Sequence, residues 1–155
     1  MPTVSRTFTV SPPPTVVRDY LVDFAHAEQW DPGTQRCERI DSGPVGEGAY
    51  WHRVSRIFGR TAELTSTLDE LTDHKVVFVG ESRSATSVDT ITIEPDGAGS
   101  MITYESERHM HGTARLLNPV MKRAVERLVG DTERQLTAVL NDLAEQPDQA
   151  GGASR

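Results

Sequence analysis

Polar and apolar residues alternate from the start of the chain. Val4, Arg6, Phe8 and Val10 share one face of an extended segment, with Thr3, Ser5, Thr7 and Thr9 on the other. Ser11 and the prolines at 12, 13 and 14 end that strand and begin a helix, because a proline's missing N–H is harmless in the first helical turn. Val16, Val17, Tyr20, Leu21 and Phe24 then recur at steps of one, three and four, which makes one helical face. His26 to Trp30 supply a further short turn of helix, and Asp31-Pro32-Gly33 breaks it.

From Gln35 the period changes to two. Segments 35–42, 48–58, 60–71, 75–83, 86–94 and 100–110 each read as strands bounded by turn chemistry. Gly43-Pro44 and Gly46-Glu47-Gly48 separate the first two, Gly59 and Thr72-Asp73-His74 mark later reversals, and Pro95-Asp96-Gly97 is the clearest hairpin signal. Such close hairpins predict an antiparallel meander rather than strand-helix-strand crossovers. Asn118-Pro119 then reads as an N-cap and first-turn proline opening a helix over 118–143. Its predicted stripe is Leu117, Met121, Val125, Leu128, Leu136, Val139, Leu140 and Leu143, with Gly130 marking a bend or a close contact. A lone helix cannot bury that stripe, so the strands must curve around it, and such a grip tends to enclose a pocket. The expected organisation is α+β, one domain over 1–145 followed by a disordered tail at 146–155.

Composition narrows the partners more than the fold. A length of 155 residues suits one domain with a real core, and a formal charge of −7 argues against nucleic acid or an anionic membrane as the main partner. Arg53, Arg56 and Arg60 could still form a local basic patch. No window approaches a membrane span, and residues 1–10 hold no signal-peptide core. The single Cys37 permits no internal disulfide and reads as a buried thiol rather than a nucleophile, so a cytoplasmic location is the default. A homodimer is left open.

Four stretches carry a resemblance to a known group: Phe24 to Pro32 ending in Trp30-Asp31-Pro32, the turn and strand Gly46 to Trp51, Ser87 to Ile93 leading into Pro95-Asp96-Gly97, and Gly112 to Pro119 opening the last helix. Their order over residues 3–143 resembles the START-like superfamily, the polyketide cyclase/dehydrase and lipid-transport group. The resemblance implies a helix-grip fold: a curved seven-stranded antiparallel sheet around the C-terminal helix, with two short N-terminal helices. It further implies a pocket for a lipid, sterol, polyketide or similar apolar molecule. Some members are carriers and some are cyclases, aromatases or hydrolases, so fold alone does not decide between them.

Candidate pocket residues follow from strand phase. Trp30, Trp51, Phe78, Tyr104, Met110 and Met121 are candidate walls. Apolar count does not settle which face of 48–58 is inward. The Trp51 face is taken as inward because an aromatic three residues past Gly48 is similar to the family pattern, and this would carry Arg53 toward an acidic or carbonyl-bearing ligand. Ile91 and Ile93 would bring Asp89 inward, and Ile102 and Tyr104 would bring Arg108 inward, so Asp89 and Arg108 are expected to form an interior ion pair. His109 and His111 lie two apart, but no further ligand completes a metal site, and no phosphate loop, dinucleotide fingerprint or nucleophile elbow occurs. No metal or cofactor is expected. Three functions remain: a binding protein for a small hydrophobic or amphipathic molecule, a cyclase- or aromatase-type enzyme using Tyr104, Arg53 or Asp89 for proton transfer, and a protein-interaction module. Convergent inward polar groups would favour the enzyme, and a uniformly greasy interior the carrier.

Overall fold

A computed structural model describes residues 3–57, 59–112, 116 and 118–145; Leu117 and the tail at 146–155 lie outside these described residues. Strand β1 (Thr3–Val10) leads through Pro12 and Pro13 into helix α1 (Pro14–Leu21), which buries Val17 and Leu21. A single 3₁₀ turn, Phe24–His26, is capped by the Asp23 carboxylate accepting from the Ala25 N–H, and runs into helix α2 (Ala27–Trp30). Six further strands follow: β2 (Thr34–Arg39), β3 (Tyr50–Ile57), β4 (Arg60–Leu71), β5 (Lys75–Glu81), β6 (Ala85–Asp96) and β7 (Gly99–Met110). The long helix α3 closes the described chain at Asn118–Glu145.

All pairings are antiparallel, in the order β1-β7-β6-β5-β4-β3-β2. The meander is closed by β1, which adds to the edge of β7. Register shifts between Thr34 and Arg36 and between Leu68 and Glu70 add bend, as bulges do. The predicted elements are present with shifted ends. Strand β2 stops at Arg39 because the Arg39 guanidinium turns back onto Asp41 and onto the Gly43 and Pro44 carbonyls. Strand β3 starts at Tyr50 rather than 48, since Gly48 sits in the left-handed region (φ +93) and belongs to the turn.

Helix α3 packs on β1, β7 and α2. Its buried stripe is Val125, Val129, Thr132, Leu136 and Leu140. Val129 and Thr132 were missing from the predicted stripe, while Leu128, Val139 and Leu143 prove half-buried. Thr132 is tolerated inside because its hydroxyl donates to the Leu128 carbonyl one turn back, at 2.8 Å. Gly130 neither ends the helix nor touches a neighbour, as a β-carbon there would meet nothing within 4 Å. Gly33 does make a close approach, since a β-carbon would lie 3.2 Å from Leu128, which presses the turn after α2 onto α3.

Candidate functional site

Along β3 the inward face is Trp51, Arg53 and Ser55, all buried, while Tyr50 and Arg56 are exposed. On β6 the inward set is Ser87, Asp89, Ile91 and Ile93, and on β7 it is Ser100, Ile102, Tyr104, Ser106 and Arg108. Period two on a sheet with one covered face brings these side chains to the concave side together. Two cross-sheet rows result. One runs Leu68, Phe78, Asp89, Ser106, Val4 and the other Trp51, Ser66, Gly80, Ser87, Arg108. Gly80 leaves room for the serines of the second row: a β-carbon would stand 2.6 Å from Ser87 Oγ and 3.3 Å from Ser66 Oγ, so the Ser87 hydroxyl would have to turn aside.

The aromatic part centres on Phe24. Its ring stacks on Phe78 with centroids 4.1 Å apart, meets Trp51 edge-on at 6.0 Å and lies tilted against Trp30 at 6.1 Å. Trp30 in turn meets Tyr104 edge-on at 6.0 Å. These offset and edge-to-face arrangements are the favoured ones for ring quadrupoles. The Arg53 guanidinium lies over Phe24, 5.5 Å from the ring centre.

Within this apolar frame lies a chain of charge. Arg108 Nε donates to Ser106 Oγ (3.3 Å), and Ser106 Oγ donates to Asp89 Oδ1 (2.9 Å). Asp89 Oδ2 is 3.9 Å from Arg53 Nη1, which is 3.7 Å from Asp31 Oδ2. Asp31 is held by accepting from the Gly33 N–H at 3.0 Å and the Thr34 hydroxyl at 2.8 Å. The expected direct pair of Asp89 with Arg108 is thus replaced. Asp89 stands opposite Ser106 in the register and Arg108 opposite Ser87, so the two charges sit in adjacent rows with Ser106 between them. The direct ionic neighbour of Asp89 is Arg53.

Burial sets the protonation of the site. Tyr104 is pushed well above the usual phenol range, first by desolvation and then by the nearby Asp89 and Asp31 carboxylates. It is therefore a neutral phenol at physiological pH, a donor rather than a base. For Arg108, burial pulls the pKa down, but the fields of Asp89, Tyr104 and Asp31 outweigh it and leave it above its ordinary value. Burial lifts the Cys37 thiol to about 12, against a smaller opposing effect of Arg53, so it is an unreactive core group.

Of the nine sequence-derived candidates, Trp30, Trp51, Arg53, Phe78, Asp89, Tyr104 and Arg108 are brought together inside. Met110, at the end of β7, is half-buried against the core. The side chain of Met121 lies outside the described residues. Sequence reasoning missed Phe24 and Asp31, which were read as a helix face and a breaker, and Ser66. The last had a legible signal, a serine alternating with Leu64 and Leu68 on one strand face. His109 and His111 take separate partners, Glu107 and Thr86, and no group of three or more metal-ligating side chains occurs among the described residues. Among the described residues no helix is long and apolar enough to cross a membrane.

A seven-stranded antiparallel sheet curved around a long C-terminal helix, with polar groups aimed inward from β3, β6 and β7, is a helix-grip domain of the START type. The chain belongs to the family described as polyketide cyclase / dehydrase and lipid transport, whose model matches residues 1–144. A START superfamily protein from Mycobacterium smegmatis is 13% identical over 91% of this chain and 98% of that one, with a TM-score of 0.76. The Zhui aromatase/cyclase from Streptomyces sp. R1128 is 14% identical over 92% and 94%, with a TM-score of 0.73. One half of the di-domain aromatase/cyclase StfQ of the steffimycin biosynthetic pathway matches at 13% identity, covering 93% of this chain and 52% of that one, TM-score 0.70. At these identities the likeness is one of fold. No curated protein matches the chain in sequence.

Proposed function

We propose that this protein binds one small hydrophobic or amphipathic molecule, of the lipid or polyketide kind, between the concave face of the sheet and α3. The observation that carries this reading is Arg53, 1% exposed, which rests over Phe24 and near two carboxylates while its Nε and Nη2 have no hydrogen-bond partner. A core that served only stability would be better filled by an apolar side chain there, since a buried ion group is at best neutral against a well-packed hydrophobic one. Apolar walls with a few fixed polar groups are what a small-molecule site needs. The family to which the chain belongs includes lipid transport in its description.

A second reading, a cyclase-type enzyme, is favoured by one specific observation: the interior is not uniformly greasy. Asp31, Arg53, Asp89, Ser106 and Arg108 converge there with a phenol kept protonated by burial. In that case Tyr104 would donate toward a developing enolate and Arg53 would stabilise its charge. Native mass spectrometry of the freshly purified protein tests the shared premise. A one-to-one adduct released by organic extraction is expected, and a chain that stays at its bare mass after exposure to apolar extracts contradicts both readings.

A further inference from the structure

The outer side of α3 takes no part in the interior site. Val120, Arg123 and Arg127 follow one another at helical steps of three and four, on the far side of the helix from the buried Val125, Val129 and Leu136. Val120 is 57% exposed and Leu116, four residues earlier, 81%, two of the four large apolar side chains exposed among the described residues. The charges beside them are nearly of one sign. Between positions 115 and 127 the sequence holds Arg115, Lys122, Arg123 and Arg127 against Glu126 alone, in a chain whose net charge is −7. Lys122, Arg123 and Arg127 are exposed and have no hydrogen-bond or ion-pair partner among the described residues. Farther along the ridge Arg134 does have one, Asp131, so the unanswered positive charge is confined to the first half of the helix.

Exposed apolar side chains beside unpaired guanidiniums make a docking surface. An arginine's planar fork takes a carboxylate by two hydrogen bonds, and Arg123 and Arg127 present two such forks about 6 Å apart along the helix. We propose that this ridge docks an acidic protein partner, which lays against Val120, Arg123 and Arg127 a helix bearing carboxylates four residues apart and one or two apolar side chains. The acidic remainder of the chain repels such a partner from the other surfaces, while within a Debye length of about 8 Å the ridge sets the sign of the field it meets. A bilayer is the poorer fit. The wide apolar stripe of α3 is covered by the sheet, which leaves two side chains rather than a face to enter lipid, and anionic headgroups repel the rest of the chain. Docking here uses none of the interior residues, so it stands apart from ligand binding.

The probe is a labelled helical peptide of about twenty residues, with glutamates four apart along one ridge and two leucines at one end. A peptide of the same composition with the glutamates scattered around the helix, and vesicles of phosphatidylserine and phosphatidylcholine in equal parts, are the comparisons. Fluorescence anisotropy at about 50 mM salt should show saturable binding of the ridged peptide, with a dissociation constant on the order of tens of micromolar, and at least about threefold weaker binding of the scattered one. The double variant Arg123→Glu/Arg127→Glu should weaken binding at least about tenfold and Val120→Ser about threefold. Arg134→Glu should change it less than about twofold, because Asp131 already answers that charge. Emission from the interior Trp30 and Trp51, unchanged in each variant, separates lost docking from a lost fold. Absence of peptide binding, or binding that both the double variant and Val120→Ser leave unchanged, overturns the proposal. Vesicle binding in its place, abolished by the double variant, assigns the ridge to a membrane and overturns the protein partner equally.

Discussion

Arg53 on β3 places Nη1 3.9 Å from Oδ2 of Asp89 on β6, three strands away. In a flat sheet three strand steps amount to about 14 Å, more than an arginine side chain can cross. The contact therefore measures how tightly the sheet curls, and it sits where the curl is closed by Asp31 from the turn after α2. The same buried charges that bring polarity to the interior also tie its walls together.

Removing one member should expose that dual role. Arg53→Met leaves Asp31 and Asp89 buried without their cation and should cost about 3–5 kcal/mol in urea denaturation. Asp89→Leu alone should cost a similar order, and the double variant clearly less than the sum, with a coupling of at least about 1 kcal/mol. Additivity within about 0.5 kcal/mol would mean the two groups do not share a low-dielectric environment.

Two glycines should differ in tolerance although both lie against close neighbours. At Gly99 a β-carbon would meet the Val10 carbonyl oxygen at 2.3 Å, backbone that cannot move without breaking the β1–β7 edge. At Gly80 the obstacle is Ser87 Oγ at 2.6 Å, which can rotate away. Thermal or urea unfolding should show Gly99→Ala destabilised by more than about 2 kcal/mol and Gly80→Ala by about 1 kcal/mol. Equal costs would contradict the register given for the β1–β7 pairing.

Alkaline pH should weaken the fold. Burial holds the Cys37 thiol at about 12 against 9.0, and Tyr20 at about 12 against 10.0. Both are neutral in the folded chain and ionise more readily once unfolded, so unfolding releases protons. Their contribution is intact below pH 9 and erodes as pH rises from there toward 12. Denaturation at pH 10.5 should show a loss of about 2 kcal/mol from Cys37 relative to pH 8. Cys37→Val should flatten that slope, and the native thiol should resist alkylation at pH 8 while reacting fully in urea. Rapid native alkylation would contradict the burial of Cys37.

Much of the architecture could be read from local chemistry. Asp96-Gly97 sits at the β6–β7 turn, with Gly97 at φ +59, and Asn118-Pro119 opens α3. Trp51 and Arg53 share the inward face of β3. What escaped was whatever depends on curvature. Strand phase says that Asp89 and Arg108 face the same way, but their offset by one row is a matter of register, which turn lengths alone do not convey. Asp31 looked like punctuation because its partner, Arg53, is 22 positions on in sequence (53 − 31) and meets it only after the sheet has closed. Val129 and Thr132 continue the stripe from Val125 at ordinary helical steps of four and three, but Val129 stands beside the larger Leu128 and Thr132 reads as polar, its hydroxyl being satisfied only by the Leu128 carbonyl one turn back.

The central claim, an interior that admits a small apolar molecule, is tested most directly by titrating the folded protein with 1-anilinonaphthalene-8-sulfonate while exciting the tryptophans. Trp30 and Trp51 are the only two in the chain, and both belong to the cluster around Phe24. The account predicts saturable one-to-one binding with a dissociation constant on the order of micromolar. It also predicts matching loss of tryptophan emission by energy transfer to the dye, and reversal of both when 2-acetylnaphthalene is added. Unchanged tryptophan emission, with dye fluorescence no greater than in buffer, would show a solid core and contradict the account.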